Sequence, residues 1–261
     1  MPQTPPPIQT AGQAAGQTAG AAPPGAAGER SLKGLSRRET WVFDLDNTLY
    51  SPAINLFSQV ERRITEYIAE FLGLPFDEAR RVQKDYFRRF GTSMRGMMTL
   101  HNLDPKPFLD FVHAIDVSVL DPSPAMDAAL KALPGRKLIF TNADTRHAER
   151  VLDRLGVAHH FEAIFDIHAS DYRPKPEPTV YDDLVRRFRV DPRAAVMVED
   201  IAVNLAPAAA MGMTTVWIRS ETTWAADGGL GAHVHHVVDD LVDWLEAVIE
   251  ADRPPAGDPS A

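Results

Sequence analysis

The chain contains no cysteine among its 261 residues. Disulfide bonds, thiolate metal ligands and cysteine nucleophiles are therefore excluded, and nothing in the composition requires an oxidising compartment. No apolar run approaches the roughly 20 residues that a membrane-spanning helix needs. The N-terminal segment also lacks the basic start and apolar stretch of a secretory signal. By elimination we expect a cytoplasmic protein that does not contact a membrane.

Positive charge is also scarce, since the formal net charge is -9 and no basic block interrupts the sequence. Binding to nucleic acid depends on Lys and Arg side chains that neutralise phosphates. A nucleic-acid partner is therefore disfavoured. A small anionic ligand stays compatible with the sequence, because a local site can oppose the overall charge.

The two ends of the chain have few bulky apolar residues. Met1 to Gly28 is nearly all Pro, Gln, Thr, Gly and Ala, and Ile8 is its one bulky aliphatic residue. Such a segment cannot bury enough apolar surface to offset its ordering entropy. We predict disordered tails at residues 1–36 and 251–261. The alternative for Pro5 to Pro7 is a proline-rich segment that binds a partner.

Short apolar runs that end in polar residues predict the strands of a buried parallel sheet. Helical patterns at 145–155 and 178–188 lie between the later runs. This alternation predicts a Rossmann-like α/β fold with helices on both faces, formed by residues 37–52 and 121–250. The five apolar runs are Thr40–Phe43, Lys137–Phe140, Ala163–Asp166, Ala195–Val198 and Thr214–Ile218.

Residues 53–120 interrupt this alternation, because they show helical patterns and no clear strand. Apolar residues recur at helical spacing from Ile54 to Phe71, and two further patterns run from Asp77 to Phe90 and from Phe108 to Ile115. We therefore predict an inserted all-helical cap domain. A cap that follows the first strand would form a lid over that strand's end.

Polar residues follow four of the predicted strands, at the edge where parallel sheets bind ligands. Asp44 and Asp46 follow the first strand, Thr141 and Asn142 the second, Lys175 the third, and Glu199 and Asp200 the fourth. Clustered carboxylates repel one another unless a cation or a proton compensates. Hard oxygen donors suit Mg²⁺, and a lysine supplies a fixed positive charge for a phosphate. The Thr141 hydroxyl and the Asn142 N–H can donate to phosphate oxygens.

The order of these residues resembles the four motifs of the haloacid dehalogenase-like hydrolase superfamily. The motifs are Asp44-x-Asp46-x-Thr48, Thr141, Lys175 and Glu199-Asp200, and the resemblance spans roughly residues 40–220. It implies a phosphatase in which Asp44 attacks phosphorus and Asp46 is the general acid and base.

The resemblance also implies a metal site and a role for the first turn. It places Mg²⁺ on Asp44, the Asp46 backbone carbonyl and Asp200, with Glu199 as a ligand directly or through water. Thr48 is expected to hydrogen-bond within the loop and to fix Asp46. Asn204, one helical turn after Asp200, is either a residue that supports the metal ligands or an ordinary helix residue.

A narrower resemblance lies in the cap. Tyr86, Phe90-Gly91-Thr92-Ser93, Arg95-Gly96 and His101, with His147-Ala148 later, are similar to the pyrimidine 5'-nucleotidase branch of the superfamily. The branch implies hydrolysis of nucleoside monophosphates such as UMP and CMP. A phosphatase of another small metabolite, such as a sugar phosphate, and a sugar phosphomutase are the alternatives. Metal-free dehalogenation and a non-catalytic binding module are disfavoured by the intact acidic motifs.

Several side chains keep two interpretations. Arg95 and Arg146 are candidates for substrate binding, with a solvated charge or an ion pair as the alternative. His101 and His147 are equally open, and Tyr50 and Phe57 fit either a base-stacking role or the apolar core. His159 and His160 lack helical spacing to a third ligand, so we interpret them as surface or packing residues. Oligomeric state cannot be inferred from the sequence.

Overall fold

The computed structural model describes residues 31–219 and 231–253. These residues form a six-stranded parallel sheet with strand order β3-β2-β1-β4-β5-β6, which confirms the predicted α/β class. β6 pairs with β5 at one edge and was not predicted, because three residues show little periodicity. The strands are β1 Thr40–Phe43, β2 Arg136–Phe140, β3 Ala163–Phe165, β4 Ala195–Glu199, β5 Thr214–Ile218 and β6 His236–Val238.

Strand β1 lies in the middle of the sheet and is buried on both faces. Successive side chains of a strand point to opposite faces. Trp41 and Phe43 accordingly pack in one apolar cluster, and Val42 packs in the other. Within the described residues, the α-helices outside the cap are α5 Pro124–Ala132, α6 Thr145–Leu155, α7 Pro178–Phe188, α8 Leu205–Ala210 and α9 Leu241–Ala251.

Four of the α-helices between β1 and β2 lie within residues 53–120, the segment where the sequence predicts the cap. They share an apolar cluster of their own, which includes Ile68, Met97 and Phe108. Gly91, between the second and third of these helices, has a φ of 82°, and a Cβ there would lie 3.0 Å from the Lys175 carbonyl oxygen. A side chain at this position would push the cap from the sheet edge. The cap helices are α1 Leu56–Leu72, α2 Phe76–Phe90, α3 Ser93–His101 and α4 Pro105–Val112.

The predicted disordered tails include residues that are folded in the structure. Leu35 is only 5% exposed and packs in the same cluster as Trp41, and Ser36 is also buried. The Asp252 carboxylate accepts hydrogen bonds from the backbone N–H groups of Gly34 and Ser36 at 2.7 and 3.2 Å. Residues 34–36 are thus bound to Asp252, the residue that follows α9. Residues 1–30 and 254–261, where most of both tails was predicted, lie outside the described residues.

No helix within residues 31–219 and 231–253 combines the length and the apolar character needed to cross a membrane.

Candidate active site

The turn after β1 places two carboxylates at the carboxyl edge of the sheet. The Asp44 N–H donates to the Val198 carbonyl at 2.9 Å, which extends the pairing of β1 with β4 by one residue. Asn47 then adopts a left-handed conformation with φ 59°, which asparagine tolerates better than most residues. Because the chain turns there, Asp44 and Asp46 find different partners.

Asp44 belongs to a buried ion-pair network centred on Lys175. The Lys175 Nζ lies 2.6 Å from Asp44 Oδ1 and 2.6 Å from Glu199 Oε2, and it also donates to the Phe140 carbonyl at 2.9 Å. The Lys175 side chain is only 1% exposed. All three hydrogens of the ammonium group are therefore used, and the nucleophile candidate is held in one position.

The network carries more negative charge than Lys175 can balance. Asp44, Glu199 and Asp200 are all buried, and each offers a carboxylate oxygen within 4.8 Å of the others. Burial first, and then the Glu199 charge, raise the pKa of Asp44 to about 7 against the pull of Lys175. Burial, Glu199 and Asp44 raise the pKa of Asp200 well above its usual range. Three hard oxygen donors with uncompensated charge fit a divalent cation.

Lys175 stays charged in this network. Burial alone would lower the pKa of its ammonium group, but the adjacent Asp44 and Glu199 carboxylates raise it above the ordinary value. Asn142 Oδ1 accepts from the Lys175 backbone N–H at 2.9 Å, so the loop that carries the lysine is tied to the end of β2. The loop therefore holds a charged ammonium group beside Asp44.

Asp46 is held by two side chains that were not assigned to it. Tyr50 donates its hydroxyl to Asp46 Oδ1 at 2.6 Å, and His147 Nε2 lies 3.0 Å from the same oxygen. Oδ2 has no hydrogen-bond partner among the residues that the structure describes. One oxygen of the carboxylate is therefore anchored, and the other can exchange a proton.

The prediction that Thr48 fixes Asp46 is wrong. Its hydroxyl donates to Asp44 Oδ2 at 3.0 Å, and not to Asp46. The turn is helical in character, since the Leu49 N–H donates to the Leu45 carbonyl at 3.0 Å. Residues four apart meet in such a turn. Thr48 consequently reaches Asp44, and Tyr50 reaches Asp46.

His147 is fixed by the start of α6. Its backbone N–H donates to Asp144 Oδ1 at 2.7 Å, an N-cap that places the ring at the first helical turn, facing the sheet edge. The other Asp144 oxygen contacts His113 Nδ1 at 2.8 Å, and the two imidazole rings stack with centroids 4.5 Å apart. Burial lowers the pKa of His147, but the Asp46 charge and hydrogen bond outweigh it, and the net shift is upward.

Glu199 has both of its oxygens occupied. Oε2 pairs with Lys175, and Oε1 accepts from the Ile201 N–H at 3.1 Å and from Asn204 Nδ2 at 3.2 Å. The Asn204 carbonyl in turn accepts the Tyr181 hydroxyl at 2.6 Å. Asn204 thus supports Glu199, the acidic neighbour of Asp200.

A cavity of about 330 Å³ opens above these groups, between the sheet edge and the cap. Thr141 and Asn142, with the carboxylates and Lys175, form its polar floor. Its cap side carries a group of apolar residues, with polar side chains that include Glu61, Lys84 and Arg88 between them. The apolar residues are Phe57, Val60, Ile64, Phe87, Met94, Phe108, Leu109 and Val112. The arrangement offers a charged end and an apolar end to a single small molecule.

The sequence matches the family model of the haloacid dehalogenase-like hydrolases over residues 39–212. That range contains Asp44, Lys175, Asp200 and the whole cap. The chain belongs to this family. The predicted enzyme class is thereby confirmed at the level of a hydrolase with phosphatases among its relatives.

Three relatives illustrate the range of similarity to this hydrolase. It is 25% identical to Phosphate metabolism protein 8 of Saccharomyces cerevisiae over 234 residues, 83% of the chain and 67% of that protein. It is 30% identical to fructose-1-phosphate phosphatase YqaB of Escherichia coli over 112 residues, which span 41% of the chain and 57% of YqaB. A phosphatase of the same family from Thermococcus onnurineus shares the fold, with a TM-score of 0.56 at 20% identity, covering 83% of this chain and all of that one.

Two candidate substrate-binding residues of the hydrolase do not reach the cavity. The Arg146 side chain is 78% exposed and lies 4.0 Å from Asp110 on α4. Helix α6 presents residue 147 to the sheet edge, and its neighbour therefore points to solvent. Arg95 lines a separate groove beside Arg88 and Arg173. The structure thus gathers the motif residues but not these two arginines.

A second acidic group lies outside the cavity. Asp127 Oδ1 on α5 is 2.8 Å from His160 Nε2 and 3.1 Å from His159 Nε2. None of the three residues lines the cavity. The two histidines thus have a carboxylate partner that their own spacing could not reveal, because it lies 32 positions earlier in the chain.

Proposed function

We propose that this hydrolase is a Mg²⁺-dependent phosphomonoester hydrolase that acts on pyrimidine nucleoside 5'-monophosphates through an aspartyl-phosphate. The observation that carries the proposal is Asp44, held by Lys175 at 2.6 Å on the floor of a cavity whose opposite wall is apolar. The floor suits a phosphate, and the wall suits the faces of a base. A cytoplasmic location stays a prediction from the sequence.

The chemistry assigns different tasks to the two aspartates. An Asp44 oxygen attacks phosphorus, and the bond from phosphorus to the ester oxygen breaks. Asp46 gives its proton to that leaving oxygen through Oδ2, while Tyr50 and His147 hold Oδ1. In the second step Asp46 takes a proton from a water that attacks the phosphoryl group. Inorganic phosphate leaves, and Asp44 is restored.

The other residues bind and orient the phosphate. The Thr141 hydroxyl and the Asn142 backbone N–H lie on the floor and can donate to its oxygens. Lys175 favours the ionised form of Asp44 against burial and the Glu199 charge, and it fixes the carboxyl group in place. Asp44, Asp200 and the Asp46 backbone carbonyl would hold Mg²⁺, which neutralises phosphate charge when bound. Glu199 supplies further negative charge to that site, since its own oxygens already serve Lys175 and Asn204.

The apolar wall favours a nucleotide over a sugar phosphate. Phe57, Phe87 and Phe108 on the cap side offer faces for a flat ring. Hydrolysis of a sugar phosphate is the second candidate, because the YqaB relative carries fructose-1-phosphate phosphatase in its name. A sugar phosphomutase is a third alternative.

Steady-state release of phosphate from UMP, CMP, fructose 1-phosphate and ribose 5-phosphate, with Mg²⁺, tests the proposal. We expect the two pyrimidine nucleotides to give the highest kcat/KM. Asp44→Asn should abolish turnover, and Asp110→Asn, an exposed carboxylate on α4, should leave it unchanged. Strong turnover of a sugar phosphate without release from UMP or CMP would overturn the pyrimidine assignment. Normal activity of Asp44→Asn would overturn the mechanism, and phosphorus NMR of the products separates hydrolysis from transfer to a sugar.

A further inference from the structure

Gln83 is a buried polar side chain in the apolar wall of the cavity. It lies on α2, is 8% exposed, and lines the cavity one helical turn before Phe87. Its backbone carbonyl accepts the Ser93 hydroxyl at 2.9 Å. Its amide oxygen Oε1 accepts the Thr65 hydroxyl from α1. The residue is thus fixed both at its backbone and at its tip.

The single proton of the Thr65 hydroxyl decides which end of the amide is bound. That hydroxyl lies 3.0 Å from the Glu61 carbonyl as well as beside Gln83 Oε1. The Glu61 carbonyl already receives the helical N–H of Thr65 within α1. The Thr65 hydroxyl thus lies beside two acceptors, and its contact with Oε1 holds the Gln83 amide by its oxygen.

The amide nitrogen of Gln83 is then left without a partner. Among residues 31–219 and 231–253, no acceptor is within hydrogen-bond distance of Nε2. Nε2 is not among the buried side-chain atoms that lack a partner, so this end of the amide is open to the cavity that Gln83 lines. Two N–H groups on the wall of a substrate cavity indicate an acceptor on the substrate.

We propose that Gln83 is a specificity-determining residue whose Nε2 donates to the ring carbonyl oxygen of a pyrimidine base. The inference rests on the proposed function and names how the base is read. Uracil and cytosine both carry a carbonyl at position 2, beside the nitrogen that bears the ribose, and adenine carries no carbonyl. Phe87, one helical turn after Gln83, also lines the cavity in which the base would lie.

Gln83→Leu tests the contact, because leucine keeps the bulk and removes the donor. We expect kcat/KM for UMP and CMP to fall about 3- to 10-fold, mainly through KM, since the contact is made equally in the ground and transition states. The kinetics with ribose 5-phosphate, which lacks the base, should be unchanged. Equal losses with UMP and ribose 5-phosphate, or no loss with either, would overturn the assignment.

Further variants at Gln83 and Thr65 distinguish loss of the contact from a folding defect. Gln83→Glu is nearly isosteric and replaces the donor by an acceptor, so it should raise the KM for UMP as Gln83→Leu does. Thr65→Val removes the anchor and should raise the same KM by less, whereas Thr65→Ser restores the hydroxyl and should restore the KM. An unchanged KM in Gln83→Glu counts against the proposal. Failure of the proposed function is seen separately, in wild-type protein that prefers ribose 5-phosphate to UMP.

Discussion

His147 contacts Asp46 Oδ1 through Nε2 at 3.0 Å, from an imidazole with none of its side chain exposed. The contact joins the first turn of α6 to the turn after β1, 101 positions earlier. Burial lowers the pKa of His147, but the Asp46 charge and hydrogen bond together outweigh burial and raise it. Burial raises the pKa of Asp46, but His147 and Tyr50 together outweigh burial and lower it. A histidine therefore positions the proposed acid and base without touching the phosphate.

Replacement of His147 should slow the reaction without weakening substrate binding. In His147→Leu the side chain no longer donates to Oδ1, so Asp46 loses its orientation toward the leaving oxygen. We expect kcat to fall about 10- to 100-fold, with KM changed less than twofold, because general acid–base catalysis contributes about 10²–10⁴-fold in all. Steady-state kinetics with UMP measures both constants. His168→Ala removes an exposed histidine and is the control, and a raised KM with normal kcat would contradict the positioning role.

Tyr50→Phe removes the second anchor and keeps the packing of the ring. The Tyr50 hydroxyl donates to Asp46 Oδ1 at 2.6 Å, while the ring packs among buried apolar residues. We expect a fall in kcat of about 3- to 10-fold, the size of one lost hydrogen bond. The double variant with His147→Leu should be non-additive, because both residues hold one oxygen. Additive losses would show that the two anchors act separately.

The four motifs were predictable because strand ends in a parallel sheet meet at one edge. Asp44, Lys175 and Asp200 could be placed there from the apolar run that precedes each of them. The anchors of Asp46 were harder to find, since Tyr50 also fits an apolar stripe and His147 requires knowledge of where α6 begins. Asp144, three residues before His147, is an N-cap signal that could have located that start.

The cap shows a second limit of prediction from the sequence. Its helical periodicity identifies the apolar faces, but it does not separate residues that face the cavity from residues that face the cap's own core. Phe57 and Phe87 line the cavity, whereas Tyr67 packs against Phe108 inside the cap. Arg95 was selected by its motif, and only the packing of α3 shows that it lines another groove.

The metal-free protein should become less stable as pH rises from about 4 to 7. The folded pKa of Asp44 is about 7 against an ordinary value of 3.8. In this window the folded state keeps a proton that the unfolded chain has released, so the free energy of unfolding falls with rising pH. Thermal unfolding in EDTA measures the slope. Asp44→Asn removes the titrating group and should flatten the fall, and equal slopes for both proteins would contradict the burial of an uncompensated carboxylate.

Addition of Mg²⁺ should stabilise the protein through the same carboxylates. A ligand that binds only the folded state stabilises it by about 2.7 kcal/mol at 100 times its Kd. Asp44, Glu199 and Asp200 place three buried carboxyl groups beside one lysine, so a bound cation would favour their ionised forms and offset their repulsion. We expect a rise in Tm with wild-type protein at millimolar Mg²⁺ and little or none with Asp200→Asn. Asp127→Asn alters the surface group with His159 and His160, and it should leave the rise intact. A rise that persists in Asp200→Asn and disappears in Asp127→Asn would place the ion at the surface instead of the sheet edge.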